Sequence, residues 1–557
     1  MVVSSVAVGI FGAPRAALSF AGPPPSSRRR SRVHSCANLP ASRGDSTCPP
    51  AGKVVRPSAS WTTRDWQDVR VAMTRVRPLA AVKIDRGRTT INRAADDRSA
   101  ASTVDVNGTP APPATRQPGI AVEENAAPPV KKKRPFLPAL DSTRFFLISY
   151  ITVGHFIACC TKDPLVLRLL SQVNVVVGAF FVLSGYVVAY TCTELGAYEA
   201  SPRIKPAPRF IMSRIMGYYP LYLLAQVLFA PMFVYADVTF NGSIACFWHA
   251  VTTFTLSQAW FPAHAELWNA PTWFLSALTF ATVALPFCLP AIASWKKKGL
   301  QTAMAVLTAV SVIAKIAYSY DTNGWFFMEG TMSPKSHPSW LFWNSVRFSP
   351  FMALVEILIG CVAARMVMVR ECDDKGGDAM DDAKAAGLVL GGSAGKDGGG
   401  LADSPVVPLL GMVTVIVARA VGWLTLNDAL TRGIFFIPMF TAFVMRVHVQ
   451  TVYADIPNAD KPGYRSFSRM LGAKWLVYLG AISFPIYILH GPIGQVFYKR
   501  VVAGKLWGVV FTKYPEFFPV YLGIVLISAV LVHELFMKNK NIQGYFQDKG
   551  RALADKF

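Results

Sequence analysis

The sequence predicts an all-α fold: a polytopic transmembrane helical bundle of about ten spans plus one re-entrant or interfacial helix, behind a disordered N-terminal extension. Three observations carry this expectation. Of the 557 residues, 52% are hydrophobic and only 16% charged, a balance too apolar for an ordinary soluble domain. After Phe136 the apolar residues fall into eleven runs, most of them about 20 residues long, the length that crosses a bilayer. Most of the basic residues in that part of the chain lie between the runs rather than inside them, as membrane topology demands.

The formal net charge of +23 does not point to nucleic acid, because 22 Lys and Arg against 9 Asp and Glu precede Pro135, outside the apolar part. The expected partner is the membrane, with no nucleic acid. Nine cysteines form no CxxC pair, and Cys159, Cys160, Cys192, Cys246, Cys288 and Cys361 sit in or beside apolar runs. Neither a metal site nor a disulfide framework is indicated.

Residues 1–134 form the first expected region, rich in Ala, Pro, Arg and Ser and without apolar periodicity, so they bury too little surface to offset ordering entropy. No acidic residue precedes Asp45, whereas Arg15, Arg28, Arg29, Arg30, Arg32 and Arg43 do. That is the bias of an organelle transit peptide. A plastid or other organelle membrane is the expected location if the leader is cleaved; an unprocessed tail implies the endomembrane system or plasma membrane. The apolar stretch Val2 to Ala13 has no basic residue ahead of it, which makes a secretory signal the weaker choice.

The membrane domain is expected over residues 135–545. Its runs start near Thr143, Val173, Gly217, Ile244, Thr272, Gln301, Phe348, Pro405, Gly433, Trp475 and Val520. The Ile244 run is short, carries His249, Ser257 and Gln258, and passes into the proline-broken WFPAHAELWNAPTW, so it is expected not to cross. Ten crossings then place the basic clusters Lys131 to Arg134, Arg203 to Arg214, Lys296 to Lys298 and Lys538 to Arg551 on one, cytoplasmic, side. Lys499, Arg500, Lys505 and Lys513 fall on the other side and run against the rule. Residues 370–404, with DDKGGDAMDDAK and GGSAGKDGGG, read as a flexible loop within the domain. Self-similar halves of the kind found in many transporters are absent.

The chemistry is carried by LDSTRFFLISYITVGH, Leu140 to His155. In a helix the eleven-residue step from Arg144 to His155 turns through about 1100° and rises about 16 Å, placing both side chains on one face. Such groups are costly in lipid, about 3 kcal/mol for a centrally placed charge on insertion scales, and normally face protein, water or a ligand. The competing reading is a snorkelling arginine and an interhelical histidine. Further along stand FFVLSGY, with Ser184 among large apolar residues, and SRIMGYYPLY, with Arg214 ahead of Pro220 and Tyr222. Each alone also reads as helix packing or an interfacial anchor.

Taken together and in this order, these segments resemble the acyltransferase 3 family of integral-membrane acyltransferases. That family opens on an LDG-like start followed by Arg, ten residues and His, and carries an FFxLSG-like second helix. NAPTWFLS at Asn269 to Ser276, RFSPFMALVEILIG at Arg347 to Gly360 and YLGAISFPIYILHGP at Tyr478 to Pro492 are similar as well. The resemblance implies His155 and Arg144 as catalytic residues, and Asp141, Ser184, Arg214, Trp273, Arg347, Glu356 and His490 as substrate-binding ones. For Glu356 a structural pairing with Arg347 is the alternative, and for His490 a packed histidine. Two positions depart from the family pattern: Gly217 replaces an arginine and Leu278 an acidic residue.

The implied function is transfer of an acyl group, acetyl being expected, from acyl-CoA to a hydroxyl of a carbohydrate or lipid-linked acceptor. Acyl-CoA is a co-substrate and no permanently bound cofactor is implied. His155 would act as general base or covalent carrier, and Arg144 would bind the donor's phosphates or polarise its carbonyl. The alternative class is a transporter or flippase whose intramembrane Arg and His line a pathway.

Overall fold

The computed structural model describes residues 134–329, 337–369, 404–452 and 466–556. The expected leader, apart from Arg134, and the 370–404 loop, apart from Ser404, lie outside the described residues. Among those described, regular structure is helical save for one isolated bridge between Thr193 and Ala200.

Helix α1, Pro138–Phe156, starts on a proline, whose missing N–H is harmless in a first turn. Helix α2, Val173–Cys192, follows. Helix α3, Ala207–Asn241, has 35 residues; at about 52 Å it is longer than the hydrocarbon core of a bilayer. Helix α4, Ser243–Phe254, has 12 residues, too few to cross at about 18 Å. It turns back along α3, where Tyr222 and Tyr219 donate to the carbonyls of Thr253 and Phe254 at 2.7 and 2.9 Å. Ile244, Phe247 and Trp248 point outward and exposed. The Ile244 run is thus too short to cross, as expected of a re-entrant or interfacial element, and the chain leaves it through the 258–272 turns.

Helices α5, Trp273–Ser294, and α6, Lys297–Asp321, come next. After a short helix at Trp340–Arg347, the Ser349 hydroxyl caps α7, Pro350–Met368, by accepting from Met352 N at 3.3 Å. Helix α8 is Val406–Val421, and a π-helical turn at Arg432–Phe436 leads into α9, Ile437–Val452. Lys474–Ala481 is bent by 49° against α10, Ser483–Tyr498. Helices α11, Phe518–Val532, and α12, Lys540–Ala554, close the chain. Eight described segments are long and apolar enough to span a bilayer, and the bent pair makes up to nine. Helix α8, apolar but only 16 residues, stands where the eighth of the expected runs lies. The chain is a multi-pass membrane protein with an all-α fold.

Two glycines determine how the centre packs. A Cβ on Gly185 of α2 would strike the backbone of Ile357 in α7, and one on Gly360 of α7 would strike that of Val182. The helices therefore touch backbone to backbone, as small residues permit in membranes. Ser184, beside this seam, returns its hydroxyl to Phe180 O at 2.6 Å.

The basic clusters gather at one end. Arg134 donates to the carbonyls of Thr191 and Thr193 and pairs with Glu194. At that same end, Arg365 from α7 donates to Ala197 O and to Ala293 O of α5, and Arg209 pairs with Asp555 beyond α12 at 2.7 Å. This matches the one-sided distribution expected of the spans.

Candidate active site

Helix α1 runs unbroken from Pro138 to Phe156, so the Arg144-to-His155 spacing keeps its helical meaning. Arg144 stands near the basic end and His155 in the last turn at the other. Arg144 is ion-paired with Asp141 at 2.5 Å, their side chains 33% and 27% exposed. His155 is half-buried, and its Nδ1 lies 3.0 Å from Nε2 of His490, the two rings stacked at 5.2 Å. His490 is fully buried on α10, its Nδ1 3.0 Å from the carbonyl of Ile486.

The chain of contacts fixes the tautomers. A carbonyl only accepts, so His490 carries its proton on Nδ1 and accepts at Nε2; His155 then carries its proton on Nδ1 and keeps a lone pair at Nε2. That is the arrangement of a positioned base. The surrounding shell holds His490 in place. Tyr521 of α11 donates to His490 O at 3.0 Å, and Asn269 donates to Ile488 O at 2.9 Å. Tyr487 donates to Pro271 O at 2.7 Å, and Gln495 to Trp268 O at 2.7 Å. The 268–271 turn that follows α4 thus docks on the helix of His490.

Trp273, at the start of α5, lines a small cleft with Asn174, Tyr318, Arg347, Glu356 and Asp428. Arg347 forms ion pairs with Glu329 at 2.7 Å and Glu266 at 2.9 Å and lies 4.6 Å from the centre of the Phe348 ring. Glu329 also receives hydrogen bonds from Asn174 and from Trp343. Burial pushes the Glu329 carboxyl up to about 7 against the pull of Arg347. Deeper in, Glu356 is clasped by Lys315 at 2.9 Å and by Arg432 from the π-helical turn. The pairing of Glu356 with Arg347 weighed from sequence is therefore replaced: their register on α7 and its preceding turn puts different cations against each carboxylate. Trp273 lines the cleft, its ring tilted by 59° against that of Phe348 at 4.9 Å.

The predicted residues thus separate into groups. His155 and His490 meet; Trp273, Arg347 and Glu356 share the cleft; Asp141 and Arg144 pair near the basic end. Arg214 donates to the hydroxyl of Thr191 and to Cys192 Sγ, both at 3.1 Å, on the basic face. Ser184 stands in the α2 packing seam. Sequence reasoning missed Lys315, Glu329, Asp428 and Arg432, whose charges inside or beside apolar runs were the available signal. It also assigned no role to His249 and His264. In the structure Asp237 accepts from His249 Nδ1 at 2.9 Å and from Trp268 Nε1 at 2.9 Å, and His249 Nε2 meets His264 Nδ1 at 3.0 Å. Burial and the adjacent His249 ring hold His264 below the usual histidine range.

The family described as acyltransferase domain, acyltransferase 3, matches residues 137–534. The chain belongs to the acyltransferase 3 family. It is accordingly a membrane-embedded acyltransferase, and the transporter class gives way to an enzyme. No curated protein and no solved structure matches it. Of the two departures from the acyltransferase 3 pattern, Gly217 faces open space, so no neighbour bars a larger side chain there. Leu278 packs partly buried against the apolar core of the acyltransferase, where an acidic side chain would need a partner.

Proposed function

We propose that this acyltransferase moves an acyl group, acetyl first, from acyl-CoA at the basic face to a hydroxyl of a carbohydrate or lipid-linked acceptor held at the opposite end. The observation that carries the reading is the 3.0 Å contact between His155 Nδ1 and His490 Nε2, which leaves His155 Nε2 free as a base. In the step, His155 Nε2 takes the acceptor's hydroxyl proton as its oxygen attacks the thioester carbonyl carbon. The tetrahedral adduct then expels the CoA thiolate, which recovers the proton from the His155 imidazolium. His490 accepts the imidazolium's other N–H throughout and holds the ring.

Arg144 belongs with the donor's phosphates rather than its carbonyl. Eleven residues of unbroken helix separate it from His155 by about 16 Å, and long helical side chains lean toward the N-terminus, away from the histidine. Arg214, on the same basic face, supports a polyanionic donor entering there. The test is transfer of labelled acetyl from acetyl-CoA into glycans and lipids of membranes containing the protein. Ester label that disappears with His155→Ala at equal protein abundance is expected. Equal label with both proteins would remove His155 from the reaction.

A further inference from the structure

A second histidine pair stands at the same end of the molecule as His155. Asp237 lies in the last turns of α3, whose first turns carry Arg209 and Arg214 at the basic face, so it sits at the opposite end. Its carboxylate accepts from His249 Nδ1 at 2.9 Å, from Trp268 Nε1 at 2.9 Å and from Asn241 Nδ2 at 2.7 Å. His249 Nε2 meets His264 Nδ1 at 3.0 Å, the ring centres 4.7 Å apart. Asp237 and His249 are only 6% and 4% exposed, whereas His264 is exposed. A chain of three titratable groups therefore runs from a buried carboxylate to the surface.

Proton counting limits this chain. An ionised carboxylate only accepts, so His249 carries a proton on Nδ1 and offers a lone pair at Nε2, which takes the His264 Nδ1 proton. One extra proton fits on His264 Nε2, the outer nitrogen, without touching the contact. A second must go to His249 Nε2, and the N–H groups of two cations then face each other across 3.0 Å. The contact does not survive that state. Burial and the adjacent His249 ring hold His264 below the usual histidine range, so the doubly charged pair belongs to acid pH. The charges acting on His264 are those of His249 and Asp237. Cys246 of α4 and Lys499 beyond α10 lie close enough to act on Asp237, and Glu266 on the turn is taken by Arg347 at 2.9 Å.

What this contact holds is the turn behind the His155–His490 pair. Trp268 donates to Asp237 through its ring and accepts from Gln495 of α10 through its carbonyl at 2.7 Å. The residues that follow bond α10 at Ile488 and Tyr487, just ahead of His490. We infer that Asp237, His249 and His264 are positioning residues for acyl transfer. They hold the 264–271 turns on α10, and through them His490 and His155, until both rings are charged from the side opposite the basic face. The inference rests on the acyl-transfer reading and adds to it a dependence on the acidity of the compartment that His264 faces.

The experiment compares the full-length protein with His264→Gln, an exposed position given a side chain that takes no proton, in permeabilised membranes from about pH 8 to about pH 4.5. Hydrogen exchange of residues 264–272, corrected for its intrinsic pH dependence and compared with that of α2, is the first readout. It is expected to rise about tenfold or more at the acid end in the parent and to stay flat in the variant. Transfer of labelled acetyl from acetyl-CoA into membrane glycans and lipids is the second, each protein scaled to its own neutral plateau. At the acid end it is expected to fall about a hundredfold per pH unit in the parent, where His155 and the second pair each take a proton, and about tenfold in the variant. Exchange that is flat in the parent, or that rises equally in both proteins, overturns the inference, and so does an equal acid slope of transfer. Absence of transfer at every pH overturns the acyl-transfer reading and the coupling with it; the exchange readout tells that result apart from failure of the histidine contact alone.

Discussion

The two ends of α1 solve the same problem, a polar group on an apolar helix, in opposite ways. At the basic end Arg144 takes a partner three residues away, Asp141, and both remain about one-third exposed. At the other end His155 takes a partner 335 residues away, His490, which is fully buried. Local pairing in contact with water is cheap to form and cheap to lose. Pairing across the bundle and out of water requires the whole fold to hold it, and its loss leaves a group without compensation. The difference teaches that a polar group on α1 is compensated locally at the basic end and by a distant helix at the other.

Breaking the buried end should give the largest effects. His155→Ala is expected to lower kcat for acyl transfer about a thousandfold, read as ester label per folded protein. His490→Gln should cost on the order of tenfold to a hundredfold in kcat with the acceptor KM unchanged, since it disturbs the ring that orients the base rather than the base itself. Equal losses for the two variants would make His490 a direct participant.

Stability sharpens the same contrast. Glu356→Gln strands Lys315 and Arg432 inside the bundle and is expected to cost about 3–5 kcal/mol, measured by unfolding in detergent. Arg144→Ala is expected to stay within about 1 kcal/mol of the parent while raising the KM for acyl-CoA about tenfold with little change in kcat. A large loss of stability there would erase the distinction between the ends.

The last expected effect is on pH. Burial raises the Glu329 carboxyl from 4.5 to about 7 in the fold, so the fold binds this proton more tightly than the unfolded chain does. Its contribution to stability is complete below pH 4.5 and is lost as pH rises through about 7. Glu329→Gln should flatten the decline in thermal stability over that window; a decline of unchanged slope would assign it to other groups.

Much of the fold was legible in the sequence because a bilayer imposes a length and a composition on every crossing. The Ile244 run read as non-crossing from its shortness and its polar and proline residues, and α4 does turn back on α3. Arg144 and His155 read as sharing one face because helical spacing is fixed. The partners were not legible. Glu356 looked ready to pair with nearby Arg347, yet its cations come from α6 and from the π-helical turn ahead of α9. His490 could equally have been a packed histidine, because nothing in a linear string reports which helices are neighbours.

By itself, then, the sequence determined that the chain crosses a membrane many times, which end gathers basic charge, and that α1 carries an arginine and a histidine along one face. Those properties follow from transfer energies and helical repeat, which act over one or two turns at a time. Only the tertiary structure decided that His155 meets His490 with a free Nε2, and that six charges from distant segments close around one cleft. Such pairings depend on how helices dock. Backbone contacts at glycines such as Gly185 and Gly360 set that docking, and their partners lie far away in the chain.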